Sequence, residues 1–217
     1  MLPVLTMSDY PLERENNIFI NCPFDAEYLP IFHAIVFAVL DSGFKPRCAL
    51  EITDAGDVRI DKIARIIEEC SHSIHDISRT ELDPDSNLPR FNMPLELGLY
   101  LGCKKFGGGD HALKRCLVLD REGHRYQRFI SDIGGQDIRV HNNNPRDAII
   151  AVRHWLREVS GRAEIPGGTV IYRRYRAFIR SLPAICRNLQ YDIRDLPFVD
   201  RRYTMEVWLR EDRNPAA

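Results

Sequence analysis

The side chains most able to do chemistry are gathered in RFNMPLELG, residues 90–98. Asn92 and Pro94 read as a helix start, Asn92 as the N-cap and Pro94 just inside it. That reading puts Glu96 in the first turn, where unpaired N–H groups and the helix dipole favour an ionised carboxylate by roughly 0.3–1 kcal/mol. A fixed carboxylate beside a cleft can stabilise the positive charge that builds on a sugar ring as a C1′–N bond breaks, or it can attack C1′ directly. The same position also suits a capping-box glutamate with a purely structural task. Arg90 is either a solvated loop arginine or a pair of donors for a phosphate.

Three further groups bear on the same chemistry. Asn21, Cys22 and Phe24 follow the first apolar run, where a turn asparagine and a core aromatic are the structural readings of Asn21 and Phe24. Asp76 and Ser78 end a later apolar run, where the structural reading of Asp76 is an Asx turn. Cys22 is a weaker candidate nucleophile, since His33, His72 and His75 stand at no diagnostic spacing from it. His72 and His75 on a strand would point to opposite faces, which makes a poor metal chelate, and no metal is expected. Asp132 and Asp137 flank a Gly-Gly turn that reads as a helix end. No G-x-G-x-x-G or P-loop pattern is present, which removes the support for a dinucleotide-binding fold or an ATPase.

The elements that must position these residues alternate strand and helix. Strands are expected at 16–24, 45–52, 71–78, 114–120 and 136–141. Helices are expected from Asp25 to the stop at Gly43, at 59–70 with Ile60, Ile63, Ile66 and Ile67 on one face, at 93–105, at 124–135 and at 144–161. Strands separated by crossover helices predict an α/β fold, a three-layer flavodoxin-like five-stranded parallel sheet with helices on both faces. In such sheets the ligand crevice opens beyond the carboxyl ends of the strands where strand order reverses, here between the first and third strands. The loop at 79–92 is long and polar, as functional loops are. Residues 1–15 read as a loose leader, 16–161 as the α/β domain, and 162–217 as a mainly helical C-terminal extension. The extension should hold one helix near 168–189, a shorter element near 203–210, and an apolar stripe of Ile171, Tyr175, Phe178, Ile179 and Leu182.

IFINCPFDAEYLPIFHAIVFAVLDSGF, then IHDISR, FNMPLELGLYLGCKKFG and SDIGGQDIRVH, together resemble a TIR-like family of bacterial proteins. That family is similar in plan to TIR domains and nucleoside 2-deoxyribosyltransferases. The resemblance covers roughly residues 16–160; the serine-and-tyrosine loop common after the first strand of TIR domains is replaced by Asn21-Cys22-Pro23-Phe24. It implies a nucleotide N-glycosidase that hydrolyses or cyclises NAD(P), with Glu96 as nucleophile or electrostatic stabiliser and the nucleotide as substrate rather than resident cofactor. In the same frame Phe24 stacks on a base or nicotinamide ring, Asn21 holds ribose or phosphate oxygens, and Asp76 grips ribose hydroxyls. It also implies a homo-oligomer, an activating protein partner, and a place in bacterial defence or stress signalling. A non-catalytic nucleotide-binding or protein-docking module, and a nucleoside or nucleotide deoxyribosyltransferase or hydrolase, are the competing readings.

Thirty Lys and Arg stand against 31 Asp and Glu, a formal net charge of −1, so no global field draws the chain toward nucleic acid or an anionic membrane, and neither is an expected partner. The extension is locally basic, with 11 basic and 7 acidic residues. Six scattered cysteines form no C-x-x-C pair, which suits reduced thiols and a cytoplasmic location.

Overall fold

The computed structural model describes residues 14–51, 54–82 and 87–214. Five parallel strands form the sheet, in the order β2-β1-β3-β4-β5: β1 Asn17–Asn21, β2 Lys45–Arg47, β3 His72–Asp76, β4 Arg115–Asp120 and β5 Arg139–Val140. Ile18 pairs with Pro46 on one side and His72 on the other, which fixes β1 between β2 and β3. This is the flavodoxin-like order. The central strands are buried on both faces, as a parallel sheet clad by helices requires, so they read as apolar runs rather than alternations.

The side-chain period of two divides the core. Ile18, Ile20, Ile74, Leu117 and Leu119 face α1 (Leu29–Asp41) and α4 (Pro145–Ser160). Phe19, on the opposite face of β1, meets Ile63, Ile66 and Ile67 of α2 (Arg59–Glu68) and Tyr100 of α3 (Asn92–Phe106). Lower on that face Ile77, Leu97 and Val118 join Tyr126 and Ile133. α1 begins with Pro30 in its first turn and ends at Gly43, whose φ of +83° is the left-handed conformation that closes a helix and favours glycine. α4 is capped as expected, the Asn144 side chain accepting a hydrogen bond from the Arg146 N–H, and it ends at Gly161 with φ +68°.

The extension forms α5 (Gly168–Leu189) and α6 (Phe198–Arg213), the latter longer than the element expected at 203–210. Both pack over the outer side of α1. Phe37 of α1 lies with its ring 5.6 Å from Phe178 and 5.9 Å from Trp208, so the helix that covers the sheet is itself covered.

Several expectations yield to local geometry. Residues 48–51 leave the second strand for a 3-10 turn, Ala49–Glu51, while 52–53 lie outside the described residues. The helix expected at 124–135 is two 3-10 turns, Arg125–Arg128 and Ser131–Ile133, and the fifth strand has two residues. Ile60 and Ile179, assigned to buried stripes, are 40% and 38% exposed because each stands at the margin of its helix's inward arc.

Candidate functional site

β1 and β3 are neighbours whose following helices leave to opposite faces of the sheet, and their carboxyl ends bring together Asn21–Asp25, Ile77–Arg79 and the start of α3. The anchor is Asn21. Its side-chain amide donates to the Met93 carbonyl at 2.8 Å, which ties the first turn of α3 to the tip of β1. The same nitrogen lies 3.0 Å from His75 Nδ1, and His75 Nε2 lies 2.9 Å from Ser73 Oγ. With Nδ1 accepting, Nε2 carries the ring proton. Burial holds this imidazole neutral, its pKa lowered to about 3. Asn21 is therefore spent on holding α3 in place, and its amide N–H groups are not offered to a sugar.

α3 starts one residue earlier than its sequence suggests. Phe91 is the cap residue, no side chain bonds to the helix start, and Asn92 is the first helical residue rather than the cap. Glu96 consequently sits in the second turn, beyond the reach of most of the dipole effect. Its surroundings reverse the expected ionisation. The residue is 6% exposed, and burial pushes its pKa up to about 7 against the opposing pull of Arg59, whose Nη2 lies 3.9 Å from Oε1. Among the described residues Arg59 is the only charged partner of this carboxyl, and no hydrogen bond reaches it. A carboxyl with spare acceptors, half protonated near neutrality, is suited to proton transfer or to attack on an electron-poor carbon.

Asp76 is wholly buried and turned into the protein. Its Oδ2 accepts from Tyr28 Oη at 2.6 Å and lies 3.0 Å from His141 Nε2, while Oδ1 accepts from the Ser78 N–H at 2.9 Å. Burial alone would raise its pKa, but the bonds from His141, Ser78 and Tyr28 prevail and hold it below the usual carboxylate range. The Asx turn is thus present, and the carboxylate binds β3 to the start of α1 and the end of β5. Tyr28 and His141 carried no sequence signal. Ser78 Oγ and Asp120 Oδ2 are buried without hydrogen-bond partners among the described residues, both just beyond or at the carboxyl ends of their strands.

The remaining candidates divide by exposure. Cys22 is 3% exposed, and burial, reinforced by Asp76 and Glu96, raises its thiol pKa well above the ordinary value, which removes it as a nucleophile. Phe24 is half-buried, edge-on to Phe32 at 5.3 Å, and leaves part of its ring at the surface. Arg90 and Asn92 are exposed at the entrance to α3. The rim is stitched by Arg79, which ends the segment that the strand-end crevice rule marks, and by Arg125, which the sequence did not single out. Arg79 bridges Asp25 at 2.8 Å and Glu27 at 2.5 Å, and Arg125 binds Asp120 Oδ1 at 2.9 Å, Thr80 Oγ1 at 3.0 Å and the Ile77 carbonyl at 2.7 Å.

A cavity of about 980 Å³ opens at the opposite, amino-terminal end of the sheet, between His72, Arg115, Trp155 and Arg162, and so does not serve Glu96. Comparison with family models, with curated proteins and with solved structures finds no match to this chain.

Proposed function

We propose that the protein is a nucleotide N-glycosidase acting on the nicotinamide-ribose bond of NAD(P), with Glu96 as its catalytic residue. One observation carries this reading: a buried carboxyl beyond the carboxyl ends of β1 and β3 that, among the described residues, has no hydrogen bond and only a distant arginine to balance it. Such a group gains most from a cationic ligand, because a positive charge nearby favours its ionised form and offsets the cost of burial. A nicotinamide ring in its oxidised, glycosylated state supplies that charge.

The bond between C1′ and the ring nitrogen then breaks with its electron pair passing to nitrogen, so nicotinamide leaves neutral and needs no proton. Glu96 stabilises the positive charge on the ribose or bonds to C1′. A water then adds to C1′, its proton passing to solvent, or a base ring nitrogen of the same nucleotide adds with its lone pair; where Glu96 has bonded to C1′, that bond breaks as the new one forms and its electron pair returns to the carboxylate. Exposed Arg90 and the N–H groups at the start of α3, which no side chain among the described residues caps, suit the phosphates, and the open part of Phe24 suits a ring face.

The pKa near 7 also favours a second substrate class. A neutral base, as in an ordinary nucleoside monophosphate, leaves only when protonated, and the protonated half of Glu96 is an acid of suitable strength. The pH profile separates the two: nicotinamide release from NAD should rise as pH passes upward through about 7, whereas base release from a nucleoside monophosphate should fall. The decisive measurement is nicotinamide release by concentrated wild-type protein and by Glu96→Gln. Release that Glu96→Gln lowers by at least about a hundredfold, or about 3 kcal/mol in the barrier, supports the assignment. No release by the wild type, or an equal rate in the variant, removes it. A nucleotide-dependent rise in melting temperature without product would then mark a binding module.

A further inference from the structure

We propose that the outer face of α3 is the contact between two copies of this chain, paired antiparallel about a two-fold axis between Gly98 and Leu99. A surface helix normally turns polar side chains outward. α3 does the reverse. Phe91 at its cap, Leu95, Leu99 and Phe106 are 60%, 56%, 36% and 82% exposed. At the helical period these four, with Gly98 and Gly102, fall within an arc of roughly 100° opposite buried Met93, Leu97 and Tyr100. That arc contains no charged side chain.

α1 shows what such a helix requires. It is apolar all round, and α5 and α6 cover the side turned away from the sheet. α3 is apolar on both sides, yet the extension lies on the other face of the sheet and leaves it bare.

Three features select a second copy as the cover. Both leucines find holes in antiparallel register: Leu95 falls over Gly102 of the second copy and Leu99 over Gly98, while Phe91 lies beside Phe106 as an aromatic pair at each end. Space is open within 4 Å of where a Cβ would stand on Gly98 or Gly102, so the glycine holes face outward. A two-fold contact sets every axial charge against itself, and the axial positions Gly98 and Leu99 carry none; Lys105, whose Nζ lies 5.8 Å from the Phe106 ring centre, stands at the rim and falls opposite Asn92 of the second copy. The area is also adequate. At about 150–250 Å² per phenylalanine, Phe91 and Phe106 leave roughly 200–350 Å² uncovered. Leu95 and Leu99, with Leu88 three residues before Phe91 and Leu82 bridged to Pro89, exposed at 65% and 57% for the last two, extend this toward the ~800 Å² each partner gives a stable interface.

The contact does not depend on the N-glycosidase reading. It is tested on the full chain by sedimentation equilibrium at micromolar concentration. Wild type should show twice the 25.1 kDa chain mass, and Leu95→Glu and the double variant Gly98→Leu, Gly102→Leu should each raise the dissociation constant at least about tenfold. Circular dichroism confirms that the variants fold. Leu99→Cys should form an intermolecular disulfide under mild oxidation, Phe91→Cys alone should not, and Phe91→Cys with Phe106→Cys should. A monomeric wild type overturns the proposal, as does a dimer that survives both sets of variants. A crosslink through Phe91→Cys alone overturns the antiparallel register. If removing residues 1–13 converts a monomer to a dimer, the chain's own leader is the occupant and the proposal falls.

Discussion

At Glu96, position and protonation are set by different neighbours. Asn21 fixes where the helix begins, while burial, opposed only in part by Arg59, raises the carboxyl's pKa from 4.5 to about 7. The folded state therefore binds this proton more tightly than the unfolded chain does. The associated stabilisation is complete below about pH 4.5 and is lost as pH rises to about 7, a difference on the order of 3 kcal/mol. Glu96→Gln is accordingly expected to raise the unfolding free energy near pH 8 by about 1–3 kcal/mol and to change little near pH 4.5, as urea melts at the two pH values would show. Equal effects at both would mean that the carboxyl titrates normally. Glu96 was legible in the sequence because a carboxylate early in a helix after a long loop is a local pattern. The roles of Asn21 and Asp76 were not. Their partners Met93, Tyr28 and His141 lie 72, 48 and 65 positions away in the chain, and nothing in local spacing announces a pairing across strands.

Among the elements, those with a strong period were readable and those made by their neighbours were not. α1, α4 and α5 carry their own stops and starts in Pro30, Gly43, Asn144, Gly161 and Gly168. The second and fifth strands are short because they stand at the two edges of the sheet, where a single neighbour supplies hydrogen bonds and loops can peel the chain away early. The turns at 125–133 replace a helix because Arg125 is drawn inward to Asp120 and Ile77, which breaks the helical register. Asn144 caps the start of α4, so Asn144→Ala should cost about 1 kcal/mol in a thermal or chemical melt. A loss below a few tenths would show that the cap contributes little there.

At the scale of the whole molecule, the extension shares one apolar core with the α/β part: Ile171, Tyr175, Phe178 and Trp208 belong to the same cluster as α1 and the sheet. Phe178, fully buried, is expected to cost about 3–5 kcal/mol when replaced by alanine, and the variant should still unfold in a single transition. Two separate transitions would mean that residues 162–217 fold as a unit of their own. The margins of the sheet have a consequence for association. β2 is three residues with Pro46 at its centre and a lysine and an arginine beside it, and β5 is only Arg139 and Val140. Neither offers an added strand more than a few ladder bonds, Pro46 has no N–H to give, and exposed Lys45 puts a cation on the first edge. Growth by strand addition, the usual path to fibrils, is thereby blunted at both ends of the sheet.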